Sequence, residues 1–294
     1  MSHVLSFGEI LWDLFPESKV IGGAPFNFAA HLAKLGADVS FVSAVGADEL
    51  GDEAIACMES LGIKSDCTTR LPAYKTGYCK VTLQDGTPSY DLAWNVAYDH
   101  ISIPAALPDS VDAFYFGTLA NRASESFLNL TLLTDLVKSK EFFFDVNIRG
   151  NDWSPMLIMT LMMQTTILKF SREEAPVLAS ILALENEDDL CMAVCKRLVE
   201  HCPNLKQILV TLDKDGAFVF DPQSGQATYA PKPQNKVVST VGAGDSFSAC
   251  YVYNYLEGCD IPTCLARASA LSDYVVTQLG AVPEYTDELI KKIK

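Results

Sequence analysis

Residues 239–247 read Ser239-Thr240-Val241-Gly242-Ala243-Gly244-Asp245-Ser246-Phe247, and they open an apolar stretch through Ala249, Cys250, Val252 and Tyr255 to about Glu257, where Gly258 stops it. That pattern predicts a buried helix with a glycine-rich start. Gly-Ala-Gly carries almost no side-chain bulk, so a ligand can approach the free backbone N–H groups of the first turn, where the helix dipole favours an anion. Asp245 in the same turn is placed to accept a proton from a hydroxyl held beside that anion. A tight strand-to-helix turn, with Asp245 as a solvated first-turn acid, accounts for the same residues equally well. The P-loop pattern is absent, and the dinucleotide pattern fails because Phe247 stands where its last glycine belongs.

Around this stretch, short β-rich apolar runs alternate with helical ones. Strands are expected at 4–11, 39–45, 113–117, 142–146, 167–170 and 208–212, and helices at 25–35, 191–201 and 262–279, the last stopped by Gly280. Strands alternating with helices predict an α/β fold with a mainly parallel central sheet covered on both faces. Met156, Met159, Met162 and Met163 fall at helical spacing and are expected to form a core stripe. Residues 78–94 break the rhythm: Cys79, Val81 and Leu83 alternate, Asp85-Gly86 signals a turn, and Tyr90, Leu92 and Trp94 follow. This predicts a hairpin, which must pack on the main body or on a second subunit. With no repeat or linker in 294 residues, one domain over 1–294 with a small β lid at about 72–100 is the expected organisation.

Composition removes whole classes of function. Hydrophobic residues make up 49% of the chain, enough for a packed core. Asp and Glu number 37 against 22 Lys and Arg, a formal charge of -15 that argues against nucleic acid or an anionic membrane as partner. A phosphorylated ligand therefore needs a local positive field, which the Gly242–Gly244 turn offers. The N-terminus has neither a basic region nor a small-residue cleavage site, and the apolar stretch 156–168 is short of a spanning helix. A soluble cytoplasmic protein is expected. Nine Cys, with no C-x-x-C pair, and four His support neither a disulfide framework nor a zinc site.

Two further clusters bear polar groups. Gly22-Gly23-Ala24-Pro25-Phe26-Asn27 is a second glycine-rich approach to a helix and follows Asp13; Asp and Asn together suit a polyhydroxylated ligand. A plain turn with Asn27 on the surface is the other reading of that cluster. Asp145-Val146-Asn147-Ile148-Arg149, followed by Trp153, ends an apolar strand, where open α/β sheets place ligands. A capping Asp and a surface Arg fit there as well.

In this order, from Gly8-Glu9-Ile10-Leu11 to Gly280-Ala281-Val282-Pro283, the clusters resemble the ribokinase-like sugar kinases of the PfkB carbohydrate kinase family. Gly8-Glu9-Ile10-Leu11 and Val96-Ala97-Tyr98-Asp99 look most like bacterial fructokinases. The resemblance implies a ribokinase-like fold and ATP-dependent transfer of a phosphoryl group to a ketose primary hydroxyl, with D-fructose giving fructose 6-phosphate. It implies Asp245 as base and the amides of Gly242, Ala243 and Gly244 as anion hole. Asp13, Gly23, Asn27 and Arg149 would bind the substrate under the lid, and Asn147, Thr211, Gly216 and Ser269 the nucleotide. Glu174 would support Mg²⁺ through water, the ion being held mostly by phosphates and water. A homodimer joined through the lid is expected from its apolar alternation and its open edge.

Four positions depart from the family pattern: Ser239 replaces the usual acid, Ser171 the amide of N-x-x-E, Asp213 the first glycine of T-x-G-x-x-G, and Ser269 an adenine-side Asn. A monovalent cation beside the anion hole is accordingly expected to bind weakly. Two alternatives remain: a 2-keto-3-deoxygluconate kinase, whose acid substrate Arg149 would meet, and a catalytically weak regulatory relative that binds sugar or nucleotide.

Overall fold

The first strand stops at Phe7 because Gly8 turns the chain there at φ 148, so close to Pro25 that a Cβ would lie 2.4 Å from its Cγ. The structure, a computed structural model, describes residues 1–84, 87–185 and 187–294, and for 82–90 its side chains are left aside. The expected strand 4–11 is thus two: β1 (His3–Phe7) in the main sheet and β2 (Leu11–Leu14) in a second one. Apolar residues on either side of Gly8-Glu9 hide the break, because the backbone at Gly8 makes it.

The chain continues through β3 (Lys19–Gly22), α1 (Ala24–Leu35), β4 (Asp38–Gly46), α2 (Glu49–Ser60), β5 (Thr68–Leu71), β6 (Gly77–Gln84) and β7 (Thr87–Leu92). Then come β8 (Ser110–Gly117), α3 (Ser124–Leu136), β9 (Lys138–Asp145), α4 (Pro155–Met163), β10 (Ile167–Ser171), α5 (Ala175–Ile181) and α6 (Leu190–His201). It closes with β11 (Gln207–Thr211), β12 (Ala217–Asp221), β13 (Gln226–Tyr229), α7 (Ala243–Leu256), α8 (Ile261–Val275) and α9 (Asp287–Ile293).

The main sheet has nine strands in the order β13-β12-β11-β10-β9-β8-β1-β4-β5, parallel from β11 to β5. Beyond β11, β12 and β13 add antiparallel at the edge. Successive residues face opposite ways, so Phe114, Phe116 and Phe144 join one core with Leu133 of α3, Leu161 of α4 and Leu198 of α6. Tyr115 and Phe143 join the other with Phe28 of α1, Tyr251 of α7 and Leu271 of α8. Strands buried on both faces explain why they read as continuous apolar runs. This is the ribokinase-like α/β architecture that the sequence predicts.

The second sheet is a four-stranded one, β3-β2-β6-β7, in which β6 and β7 form the expected antiparallel hairpin. The Asp85-Gly86 turn, and the side chains of Leu83 and Tyr90, lie outside the described residues. Beyond the expected 72–100, it recruits β2 and β3, since the chain leaves the main sheet at Gly8 and β2 pairs parallel to β6. Cys79 and Val81 are buried within this chain, whereas Trp94 is 58% exposed.

Two helical expectations need correction. The α4 core stripe is Leu157, Ile158, Leu161 and Met162, with Met156 75% exposed and Met163 also outside; the helix is apolar all round, so periodicity could not select its buried face. Helix α8 ends at Val275, well before Gly280, and a string of turns follows. Nine cysteines are free, and among the described residues no helix is long and apolar enough to cross a membrane.

Candidate active site

The main sheet changes direction between β1 and β8: the chain runs outward through β4 and β5, then returns to build β8 to β11 on the other side. Such a switch point opens a crevice at the carboxyl ends of the strands. Glu9 follows β1 there, Thr118 follows β8, and Asp145, Ser171 and Thr211 end β9, β10 and β11.

Helix α7 starts at Gly242, whose left-handed φ of 79 lets the chain turn directly into the helix. Asp245 lies in its first turn, only 9% exposed, and accepts a hydrogen bond from Asn27 Nδ2 at 2.7 Å. The two glycine-rich clusters thus converge on one carboxylate. The three loop amides are not equivalent: Ala243 N–H donates to the Thr240 carbonyl at 3.2 Å, while Gly242 and Gly244 N–H have no backbone partner among the described residues. Of the three amides expected to form an anion hole, the turn itself engages that of Ala243.

Burial pushes the Asp245 carboxyl up to about 6, against the Asn27 hydrogen bond, which lowers it; Asp145 adds to the rise, and Lys169 and Arg149 oppose it. Lys169, on β10, sits under the loop with its Nζ 3.2 Å from where a Cβ on Gly244 would stand. It donates to both Asp145 oxygens at 2.9 Å in a pair with side chains 7% and 0% exposed. Burial, the largest influence, would lower the lysine, but Asp145, Glu174 and Asp245 together outweigh it and hold the ammonium above its ordinary value. Tyr115 and Ser248 also donate to Asp145, so that residue is a buried structural anion rather than a helix cap.

Glu9 is the second carboxyl of the crevice, 2% exposed and pushed by burial up to about 7 in spite of hydrogen bonds from the Glu9 and Ala24 backbone. Its Oε2 has no hydrogen-bond partner, and neither has Asn27 Oδ1. Neither Lys169 nor Glu9 is singled out by sequence. A lone lysine inside the apolar run Ile167-Leu168-Lys169-Phe170 is the signal that was available, since burying an ammonium demands a partner.

Asp13 stands on β2 opposite Val20, its Oδ2 3.5 Å from where a Cβ on Gly22 would be, and Gly23 caps α1 ahead of Asn27. Asp13 and Asn27 thus flank the same turn. Past β9, Asn147 adopts a left-handed φ of 37, and Arg149 is exposed with no ion pair among the described residues. Glu174 accepts from Ile148 N–H and Ser171 N–H, both at 2.7 Å, tying the ends of β9 and β10 together. Thr211 pairs with Ser171, and the turn after it closes through Leu212 N–H on the Gly216 carbonyl at 2.7 Å. Ser269 is half-buried on α8, which packs on β12, and no hydrogen bond joins it to Thr211 or Gly216.

A carboxylate above free amides, at the switch point of this fold, is the equipment of an enzyme that phosphorylates an alcohol. Residues 8–287 match the family described as pfkB family carbohydrate kinase, and the chain belongs to it. It is a sugar kinase, a phosphotransferase with an alcohol acceptor. Among its relatives, Fructokinase-1 of Oryza sativa subsp. japonica is 25% identical, over 97% of this chain and 95% of the other. A 5-dehydro-2-deoxygluconokinase 2 of Bacillus cereus is 24% identical, over 89% of this chain and 81% of the other. The crystal structure of a fructokinase with bound ATP from Xylella fastidiosa superposes with a TM-score of 0.84 at 21% identity, covering 99% of this chain and 97% of that one.

Proposed function

We propose that this sugar kinase transfers the γ-phosphoryl group of ATP to the primary hydroxyl of D-fructose, giving fructose 6-phosphate. The observation that carries the reading is Asp245, held by Asn27 beside the free amides of Gly242 and Gly244. Asp245 takes the proton of the attacking hydroxyl, and the two amides receive the charge of the transferring phosphoryl group. Asn27 Oδ1 and Glu9 Oε2 lack donors, which sugar hydroxyls supply; a buried acceptor left unpaired costs about 1–3 kcal/mol. Asp13 and Gly23 complete the sugar side, and the four-stranded sheet serves as the lid of a single 1–294 unit. Asn147, Thr211, Gly216 and Ser269 bind the nucleotide.

Among the described residues no group of three His, Cys, Asp or Glu side chains can hold a metal ion. Glu174 has each oxygen engaged by a backbone N–H, so it suits a contact through water. This set fits Mg²⁺, which Glu174 would support through water and which would supply positive charge against the phosphates. The reading is of a cytoplasmic enzyme, as expected from its sequence, and the open edges of the lid sheet favour a homodimer through it.

One observation favours a second substrate. Arg149 is an exposed cation with no ion pair among the described residues, close enough to pull down Asp245, and it suits the carboxylate of 2-keto-3-deoxygluconate. ADP release over a panel containing D-fructose, other ketoses, 2-keto-3-deoxygluconate and 5-dehydro-2-deoxygluconate tests both. Turnover highest on fructose upholds the first reading, turnover highest on an acid moves the assignment to the second, and no turnover on any leaves a regulatory binding protein.

A further inference from the structure

The segment Val96-Ala97-Tyr98-Asp99, where the chain returns from the lid, has no part in the chemistry above. It nevertheless surrounds the side chain of Arg122, which is 1% exposed. Arg122 Nε donates to Asp99 Oδ1 at 2.8 Å, and one terminal nitrogen donates to Asp152 Oδ2 at 2.9 Å. The other terminal nitrogen donates to the Ala93 carbonyl at 2.5 Å, the Tyr98 hydroxyl at 3.0 Å and Asp99 Oδ2 at 3.1 Å. The Trp94 ring covers the guanidinium at 4.1 Å. Arg122 is thus held by two carboxylates, a carbonyl and a hydroxyl from separate turns. Its value lies in what it joins.

On one side are Ala93, Trp94, Tyr98 and Asp99, directly after the last lid strand β7. On the other is Asp152, whose own N–H donates to the Arg149 carbonyl at 3.1 Å. Trp153 Nε1 donates to the Gly150 carbonyl at 3.2 Å, so 149–153 is one turn closed by its own hydrogen bonds. A cavity of about 290 Å³, lined by Trp94, Arg122, Phe127, Asp152, Trp153 and Met156, lies beside it. The turn carries Arg149, whose charge is felt at both Asp245 and Glu9. A buried guanidinium shared by two carboxylates is costly to rearrange, and such groups serve best as fixed registers between elements.

We propose that Arg122 is a positioning residue: through Asp99 and Asp152 it couples the lid to the Arg149 turn, so that a sugar seated under the lid sets the Arg149 guanidinium against the phosphoryl group being transferred. The inference rests on the sugar-kinase reading and on Arg149 facing the reaction, and it adds a residue that itself touches neither substrate.

Asp152→Asn cuts the charged link to the turn while leaving the Arg122–Asp99 pair in place. The expected result is a kcat lowered by up to about 100-fold, the scale of a small misplacement of a reacting group, with a smaller change in sugar KM and an unfolding midpoint close to the parent's. In a double-mutant cycle with Arg149→Gln, Asp152→Asn causes no further loss, because its effect runs through Arg149. An unchanged kcat in Asp152→Asn, or losses that multiply in the double variant, overturns the proposal. A chain that turns over no sugar refutes the kinase reading separately, and the coupling is then read from tryptophan fluorescence, since Trp94 and Trp153 border the linkage. A response to D-fructose or 2-keto-3-deoxygluconate that Asp152→Asn loses supports the coupling. An equal response in both, or none in the parent, overturns it.

Discussion

Asn27 Nδ2 and Asp245 Oδ2 are 2.7 Å apart although 218 positions separate them in the chain, and the bond joins the starts of α1 and α7. The carboxylate is thereby aimed and partly stabilised without being neutralised. Replacing it isosterically, Asp245→Asn, removes the base and keeps the shape. Turnover should fall by about 10²–10⁴ while sugar binding persists, read by ADP release and by calorimetry. Full turnover in this variant removes Asp245 from the mechanism.

The same burial that positions Asp245 sets a pH dependence. Its carboxyl is raised from 3.8 to about 6, and the base works only when ionised, so kcat should decline as pH falls through about 6. Stability runs the other way: a raised carboxyl pKa means that ionisation is harder in the folded state, and the folded protein loses stability as pH rises from about 4 to 6. Asp245→Asn should therefore unfold at a higher temperature than the parent at pH 8, with the gap closing below about pH 4. Thermal unfolding at the two pH values checks the sign.

The fold was legible because strands buried on both faces are apolar runs, and 113–117, 142–146 and 208–212 could hardly be anything else. Gly8 was not, since a glycine inside such a run gives no sign that β1 ends and β2 departs to another sheet. In the site, the glycines and Asp245 announce themselves locally, and Asn27 stood between two readings, a sugar contact and a surface helix residue, until the resemblance chose the first. Their mutual bond is tertiary. So are the pairs Lys169–Asp145 and Arg122–Asp99, each of which joins separate strands or turns. Charges that meet only after folding leave at most a negative trace in sequence, an ionisable residue where the pattern calls for an apolar one.

Lys169 offers a test of that buried pairing. Lys169→Met leaves the Asp145 carboxyl in the core without its cation, and breaking such a pair from one side costs about 3–5 kcal/mol. The double variant Lys169→Met/Asp145→Asn removes both charges and should recover most of the loss in urea denaturation. Equal destabilisation by the single and double variants would mean that packing of the lysine stem, not the charge, holds this site.

The proposed dimer predicts a light-scattering mass about twice the 32.1 kDa of the chain. Because Cys79 and Val81 are already covered within one chain, the surface left for a partner is the sheet edge together with exposed groups such as Trp94. A mass near 32.1 kDa at micromolar concentration assigns the lid to a monomer.

Ser239 decides how the anion loop is held. Related kinases, by the resemblance above, place a carboxylate here beside a monovalent cation. In this chain the Ser239 hydroxyl instead accepts from Val241 N–H at 3.3 Å. The Val276 carbonyl, a neighbouring oxygen of the kind that such an ion needs, already accepts from Val238 N–H at 2.7 Å and from Ser239 N–H at 3.1 Å. A neutral hydroxyl and an engaged carbonyl make a poor set for a hard cation, whose affinity depends on the number and charge of its oxygen ligands. Activity should therefore change little when K⁺ replaces Na⁺ at constant ionic strength, the loop being fixed by its own hydrogen bonds. Ser239→Asp restores a charge at the same position and should make turnover K⁺-dependent. Strong activation of the unmodified enzyme by K⁺ over Na⁺ would show that backbone carbonyls suffice, and that the serine does not weaken the site.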